Sequence, residues 1–236
     1  MGCSVGSIRA SDDARQKTVS STDEDVPYSE DLQRPSDAQA WVEAADRKRP
    51  FRIHIRRAIV DRLRLLAPGA RVLELGSGPG LLAEQVLLHC TEIAKYTLLD
   101  FSEPMLEMSR RRVAQYLSAE FVRADFRSEG WIWCVTAPYD AVVSMQAVHE
   151  VRHKRHVPRL YGQVHGLLAA DGAFLIADRV PEDDSPRSTA LFMTEQEQTR
   201  ALTDAGFENI CVVMSGDALA LCQCTKKRHE LMFSPA

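Results

Sequence analysis

Residues 71–80 read RVLELGSGPG. A short apolar run, interrupted by one acid at Glu74, opens onto three glycines in five positions, Gly76, Gly78 and Gly80. Glycine reaches positive φ at no steric cost and lets a backbone approach a ligand without a Cβ in the way. The turn leads directly into PGLLAEQVLLHC (79–90), which reads as an apolar-faced helix. A buried strand, a glycine turn and a helix together form the opening unit of a strand–helix alternation.

The alternation continues outward from this unit. YTLLD (96–100), EFVRAD (120–125), YDAVVSMQ (139–146) and GAFLIAD (172–178) read as strands. Helices are expected over 102–117, 154–169 and 194–206. FENICVVM (207–214) and DALALCQCT (217–225), parted by Ser215-Gly216, read as a closing hairpin. The fold class predicted is α/β: a Rossmann-like, doubly wound, mostly parallel seven-stranded sheet with a C-terminal antiparallel hairpin. Upstream, Ser36 is expected to cap a short helix, and Ile55, Ile59, Leu63 and Leu66 mark a longer one stopped by Pro68-Gly69. Four segments follow: a polar, disordered tail over 1–36, a helical cover over 37–69, the Rossmann-like domain over 70–226, and a charged, flexible tail over 227–236.

Composition narrows the class. The chain of 236 residues is 45% hydrophobic and 26% charged, with a net charge of −4, which argues against a main role in coating nucleic acid or anionic membrane. No apolar run approaches the ~20 residues of a transmembrane segment, and MGCSVGSIRASDD holds no secretory stretch. Gly2-Cys3 raises N-terminal lipidation, but Gly6 stands where the myristoylation pattern takes Ser or Thr. The six cysteines lack the spacing of a metal site, so the expectation is reduced thiols, no metal and a cytoplasmic location. Nothing in the sequence sets an oligomeric state.

The ligand of the glycine turn is narrowed by its neighbours. A dinucleotide fingerprint places its third glycine one position later, where this chain has Leu81. An acid at the end of the first strand opposes phosphate and suits an ammonium or sulfonium group. Asp100 closes the second strand, where a carboxylate can accept from both hydroxyls of a ribose, and Asp125-Phe126 offers an acceptor and a ring to an adenine.

At these residues the chain resembles the class I S-adenosylmethionine-dependent methyltransferases. The resemblance is carried by VLELGSGPG (72–80), LLDFSEPML (98–106), RADF (123–126), YDAVVSMQAVHEV (139–151) and LLAADGAFLIAD (167–178), in family order. It implies that S-adenosylmethionine binds across the ends of the first four strands. Glu74, Gly76 and Gly78 would then lie beside its methionine portion, with Ser77 and Gly80 in the same binding turn. Asp100 would hold the ribose, Phe101 and Met105 would lie near the adenine, Asp125 and Phe126 would take its edge and face, and Gln146 would close the pocket. Each position has a structural alternative: an internal partner for Glu74, a helix cap for Asp100, a turn for Asp125, core packing for Met105.

Methyl transfer asks mainly for alignment and exclusion of water, and for a base only where the acceptor must lose a proton. The candidate base is His149, whose ordinary pKa of about 6.5 suits that role near neutrality; the alternative is that it packs the loop. Glu150 can orient it or pair with Arg152. The basic runs RHKRH (152–156) and DRKRPFRIHIRR (46–57) offer attraction for an anionic acceptor, an acidic lipid or RNA at the pocket rim, or act as solvated helix faces. The stretch 179–193 is short for a lid, which leaves the N-terminal helices with Trp41 and Phe51 as the expected cover. SMQAVHEV stands where amino-directed nucleic-acid methyltransferases carry an Asn-Pro-Pro-Tyr type loop, so a small-molecule acceptor is expected and a nucleic acid is not. The rival readings are a nicotinamide-dependent oxidoreductase and a non-catalytic cofactor-binding module.

Overall fold

The structure, a computed structural model, describes residues 24–227. Seven strands form one sheet: β1 (Arg71–Leu75), β2 (Lys95–Asp100), β3 (Ala119–Arg123), β4 (Tyr139–Met145), β5 (Leu168–Arg179), β6 (Phe207–Gly216) and β7 (Leu219–Lys226). Their order is β3-β2-β1-β4-β5-β7-β6. The first five run parallel, and β7 pairs antiparallel with both β5 and β6. Strand order reverses between β1 and β4, so the crevice of the fold opens where the glycine turn leaves β1.

Seven helices flank the sheet: α1 (Pro35–Lys48), α2 (Arg52–Leu63), α3 (Leu81–His89), α4 (Glu103–Arg112), α5 (Val157–Leu167), α6 (Pro186–Leu191) and α7 (Glu195–Asp204). Strand alternation sorts their contacts. Val72 and Leu98 pack with α2 and α3 side chains such as Ile55, Ile59 and Val86, whereas Leu73, Leu75 and Val142 pack with α5 and α7 through Leu160, Val164 and Leu202. Each such buried aliphatic side chain contributes about 1.5–3 kcal/mol, so the two clusters fix the sheet and leave its carboxyl edge to loops.

Several details differ from the sequence expectation. Ser36 does not cap α1: Arg34 precedes the helix, Pro35 takes its first position, and Ser36 Oγ turns to Asp37 instead. The β6–β7 turn is Asp217-Ala218, with φ of 48° and 52°, rather than Ser215-Gly216. Gly216 stays in the ladder opposite Leu219, and a Cβ there would lie 2.8 Å from the Phe51 ring, so Phe51 anchors the cover to β6. A 3-10 helix, Glu129–Cys134, and helix α6 are additional elements; the former buries Trp131, whose Nε1 donates to Gln163 Oε1 at 2.8 Å.

Of the tail expected over 1–36, residues 1–23 lie outside the described residues. Val26 N donates to the Arg152 carbonyl, Arg152 Nε donates back to the Val26 carbonyl, and the carbonyl of Leu32 accepts from Ser102 Oγ, so residues 24–34 lie as a strap along the carboxyl edge of the sheet. Gly2-Cys3, a weak match to a lipidation pattern, and most of the expected C-terminal tail, 228–236, fall outside the described residues. Among those described, no helix is long and apolar enough to cross a membrane.

Candidate active site

The glycine turn owes its shape to three left-handed residues, Gly76, Gly78 and Gly80, with φ of 65°, 54° and 79°. Each serves a different purpose. A Cβ on Gly76 would stand 2.2 Å from Ala147 Cβ, so this glycine lets β1 and the segment after β4 converge. Gly78 faces open space. Gly80 starts α3 against Ser109 of α4, where a Cβ would approach to 2.9 Å.

A cavity of about 210 Å³ lies above this turn at the carboxyl edge of the sheet. Gly76, Gly78, Asp100, Phe101, Met105 and Phe126 line one side; Gln146 and His149 line the other. Asp100 braces the turn: its Oδ2 accepts from Gly78 N at 2.8 Å and its Oδ1 from Ser102 N at 2.9 Å. Burial raises its pKa to about 6 against these two N–H donors, which leaves it mainly ionised at neutral pH with lone pairs to spare. Ser102 caps α4 through Met105 N, which sets Met105 against the cavity. Gln146 leaves β4 with φ 56°, in the left-handed region, and its buried Oε1 has no protein partner.

Four expected cofactor residues do not line this cavity. Glu74 shares the face of Val72 rather than that of Leu73, and it is buried with its Oε2 accepting from the Tyr96 hydroxyl at 2.8 Å. Burial pushes its carboxyl up to about 8, so it is chiefly a neutral acid at neutral pH and no counter-charge for a cation. Asp125 is held by Arg127, whose Nε lies 2.9 Å from Oδ1 and 3.0 Å from Oδ2. Ser77 and Gly80 lie in the turn but face inward, Ser77 with a buried, unpartnered Oγ.

His149 occupies a 3-10 turn, Val148–Val151, just past β4. Asp178, near the end of β5, grips it twice: Oδ2 accepts from the backbone N at 2.9 Å and Oδ1 from Nδ1 at 2.6 Å. Glu150 Oε1 stands 3.3 Å from Nε2, and its other oxygen accepts from Arg152 Nη1 at 3.1 Å. Burial alone would lower the imidazole pKa, but the two carboxylates outweigh it and raise the value to about 9. His149 is therefore cationic near neutrality, unlike the unperturbed base expected from sequence. Its ring packs edge-on to Phe192, 5.4 Å between centroids. Asp178 lies 29 positions away in sequence and was not foreseen; a carboxylate at a strand end beside the reversal point was the available signal.

The cover is partly as expected. Trp41 of α1 lines the cavity with Arg52 5.1 Å over its ring, and Glu30 and Leu32 of the strap join it. The RHKRH run does not face an acceptor: Arg152 binds the Val26 and Pro27 carbonyls, Lys154 pairs with Glu197, and Arg155 and His156 hold Asp25. From the other basic run, Lys48, Arg49 and Arg52 do reach the cavity, joined by Arg179 at the end of β5. A second depression, between α2 and α3, lies away from the strand ends and the glycine turn.

Comparison with known proteins names the class. Residues 72–172 match a family model described as a methyltransferase domain. Over 130 residues the chain is 25% identical to the highly reducing polyketide synthase pkhB of Emericella nidulans, a match covering 51% of this chain and 5% of that protein. Among solved structures, the CurJ carbon methyltransferase superposes with a TM-score of 0.62 at 14% identity, covering 73% of this chain and 53% of that one. Human N-acetylserotonin methyltransferase gives 0.64 at 14% identity over 83% and 57%, and the N-methyltransferase NodS of Bradyrhizobium japonicum gives 0.59 at 17% over 76% and 98%. At such identities the structures speak for the fold. Residues 72–172 thus match a methyltransferase domain, and the fold is the one that these methyltransferases share.

Proposed function

We propose that this chain transfers a methyl group from S-adenosylmethionine to a small-molecule acceptor that gives up a proton. The observation that carries this is the convergence, in one cavity, of the braced glycine turn and the doubly held His149. The residues fit the cofactor. Asp100 offers a carboxylate with free lone pairs for ribose hydroxyls, Phe101 and Phe126 offer ring faces, and the orphaned Gln146 Oε1 offers an acceptor. Burial of that oxygen without a partner costs about 1–3 kcal/mol, which a donor on the ligand would recover. When bound, the cofactor supplies an electrophilic methyl on a good leaving group.

The remaining chemistry falls to the chain. Asp178 commits Nδ1 of His149 and fixes the ring, so the nitrogen that would serve as base is Nε2, which faces Glu150 Oε1 at 3.3 Å and must first lose its own proton. Such a pair is of use for a hydroxyl or an activated C–H and superfluous for an amine with a free lone pair. Among the related structures named above, one is a carbon and one a nitrogen methyltransferase, and the His149–Asp178 pair favours a carbon or oxygen acceptor here. Trp41 and the strap residues Glu30 and Leu32 line the cavity, where they would keep water from the reacting centre.

Titration of the folded protein with S-adenosylhomocysteine, followed by Asp100→Ala, tests the cofactor half. Uptake is expected, weakened in the variant by about 1–3 kcal/mol, the range for a lost charge-assisted hydrogen bond. No uptake by folded wild-type protein would remove the reading.

A further inference from the structure

Arg179 and Arg49, both on the lining of the active-site cavity, share one carboxylate, that of Glu182, which stands just outside the lining. Arg49 Nη1 donates to Glu182 Oε1 at 2.8 Å, and Arg179 Nη2 donates to Glu182 Oε2 at 3.0 Å. Each oxygen of one carboxylate thus meets a different guanidinium. Both arginines come from elements that frame the site: Arg49 from the link between α1 and α2, Arg179 from the end of β5. Glu182 belongs to the exposed loop between β5 and α6 and is itself 44% exposed, so little holds it there beyond the two arginines.

The arginines are better anchored than their partner. Arg49 also donates to the Asp217 carbonyl at 2.9 Å, and the guanidinium of Arg179 lies 4.1 Å over the Phe192 ring. Arg179 Nε is buried without any partner, a donor unanswered at the edge of the cavity. With Lys48 also on the lining, this wall carries more positive than negative charge. Phe192 touches His149 on another side, 5.4 Å between rings, so guanidinium and imidazole lie no farther apart than the two contacts through Phe192 allow.

The strand order assigns this wall to the acceptor. The glycine turn, Asp100 and Phe126 follow β1, β2 and β3, whereas Arg179 lies beyond β4 on the opposite side of the reversal point, next to Asp178. We infer that the methyl acceptor carries a carboxylate, which displaces the Glu182 side chain and takes its place between Arg179 and Arg49 while the atom to be methylated faces His149. Glu182 then acts as an internal stand-in that keeps the two cations paired between turnovers. Recognition of the two oxygens of one carboxylate by one N–H from each of two guanidinium groups is the geometry these arginines already display. The inference rests on the methyltransferase reading above.

The test uses the full chain saturated with S-adenosylhomocysteine, which reports separately on the cofactor site. Straight-chain monocarboxylates from acetate to hexanoate, each beside its primary amide, and inorganic phosphate are titrated in by calorimetry. The expected result is at least one carboxylate that binds tenfold or more tightly than its amide. Arg179→Gln should abolish that preference, and Glu182→Gln should strengthen carboxylate binding severalfold, both with the S-adenosylhomocysteine affinity of wild type. The gain in Glu182→Gln cannot come from misfolding. Equal binding of acids and amides, no binding of either, or stronger binding of phosphate than of any carboxylate would overturn the carboxylate subsite. Failure to take up S-adenosylhomocysteine at all would remove the underlying reading and the subsite with it.

Discussion

Asp178 Oδ1 lies 2.6 Å from Nδ1 of His149, and Asp178 Oδ2 accepts the backbone N–H of the same histidine at 2.9 Å. One carboxylate thereby fixes where the turn after β4 sits, how its imidazole is rotated and which nitrogen remains to act. Asp178 sets the position and rotation of the ring, and shares the setting of its charge with Glu150.

Asp178→Asn should keep the backbone contact and lose the charge. With His149 held near 9, methyl transfer in the wild type should rise with pH through the neutral range as the imidazolium loses its proton. In the variant the rise should move toward lower pH, since an anion that favoured the charged form is gone, and the plateau should fall by about 10²-fold or more, the usual scale of base catalysis. Rate against pH for both proteins measures it; an unmoved profile would make Asp178 a packing residue only.

Two buried groups should tie stability to pH in the same direction. His149 has a folded pKa of about 9 against an ordinary 6.5, so its contribution is full below the unfolded value and is lost as pH climbs toward 9. Glu74 has a folded pKa of about 8 against 4.5, so the unfolded chain ionises first and folding is increasingly penalised between those values. Thermal midpoints should therefore decline from about pH 5 to pH 9. Glu74→Gln, which cannot ionise, should flatten the part of that decline below pH 8, as differential scanning calorimetry of the two proteins would show.

Gly76→Ala should be the most damaging single methyl in the turn. Its Cβ would sit 2.2 Å from that of Ala147, at a backbone φ of 65°. Overpacking and left-handed strain together suggest a loss of about 2–4 kcal/mol in urea denaturation. Gly78→Ala meets nothing within 4 Å and should lose only the strain, about 1–2 kcal/mol. Ala147→Gly in the Gly76→Ala background should recover part of the loss; no recovery would show that the contact is not the cause.

Tyr28 lies between two guanidinium groups, those of Arg152 at 4.4 Å and Arg127 at 5.2 Å from its ring centroid. Tyr28→Ala should loosen the strap that carries Glu30 and Leu32 over the cavity. Cation–π contacts of this kind contribute about 0.5–2 kcal/mol each, so release of S-adenosylhomocysteine in stopped flow should quicken severalfold with little change in thermal midpoint. An unchanged release rate would place the strap outside the exit path.

The course of the chain through the sheet was legible in residues 71–225 because buried strands and amphipathic helices write their periods directly into the sequence. The glycine turn was legible for a related reason: only glycine holds three left-handed positions in five residues cheaply. Asp100, Phe126, Gln146 and His149 followed, since a strand end at the reversal point fixes a residue near the crevice before any side chain is placed.

What the sequence left open depended on contacts made over long separations. Glu74 faces Tyr96 because strand parity puts it with Val72, and the helices on that face give its carboxyl no route to water. Asp125 was claimed by a neighbouring arginine, and the RHKRH run was taken up by strap carbonyls and internal acids. Local sequence set each residue's strand, turn and face. Only the packed chain decided which distant partner met it there, bringing Asp178 to His149 and Glu182 to two arginines, because charge pairing depends on distance in space and burial strengthens it.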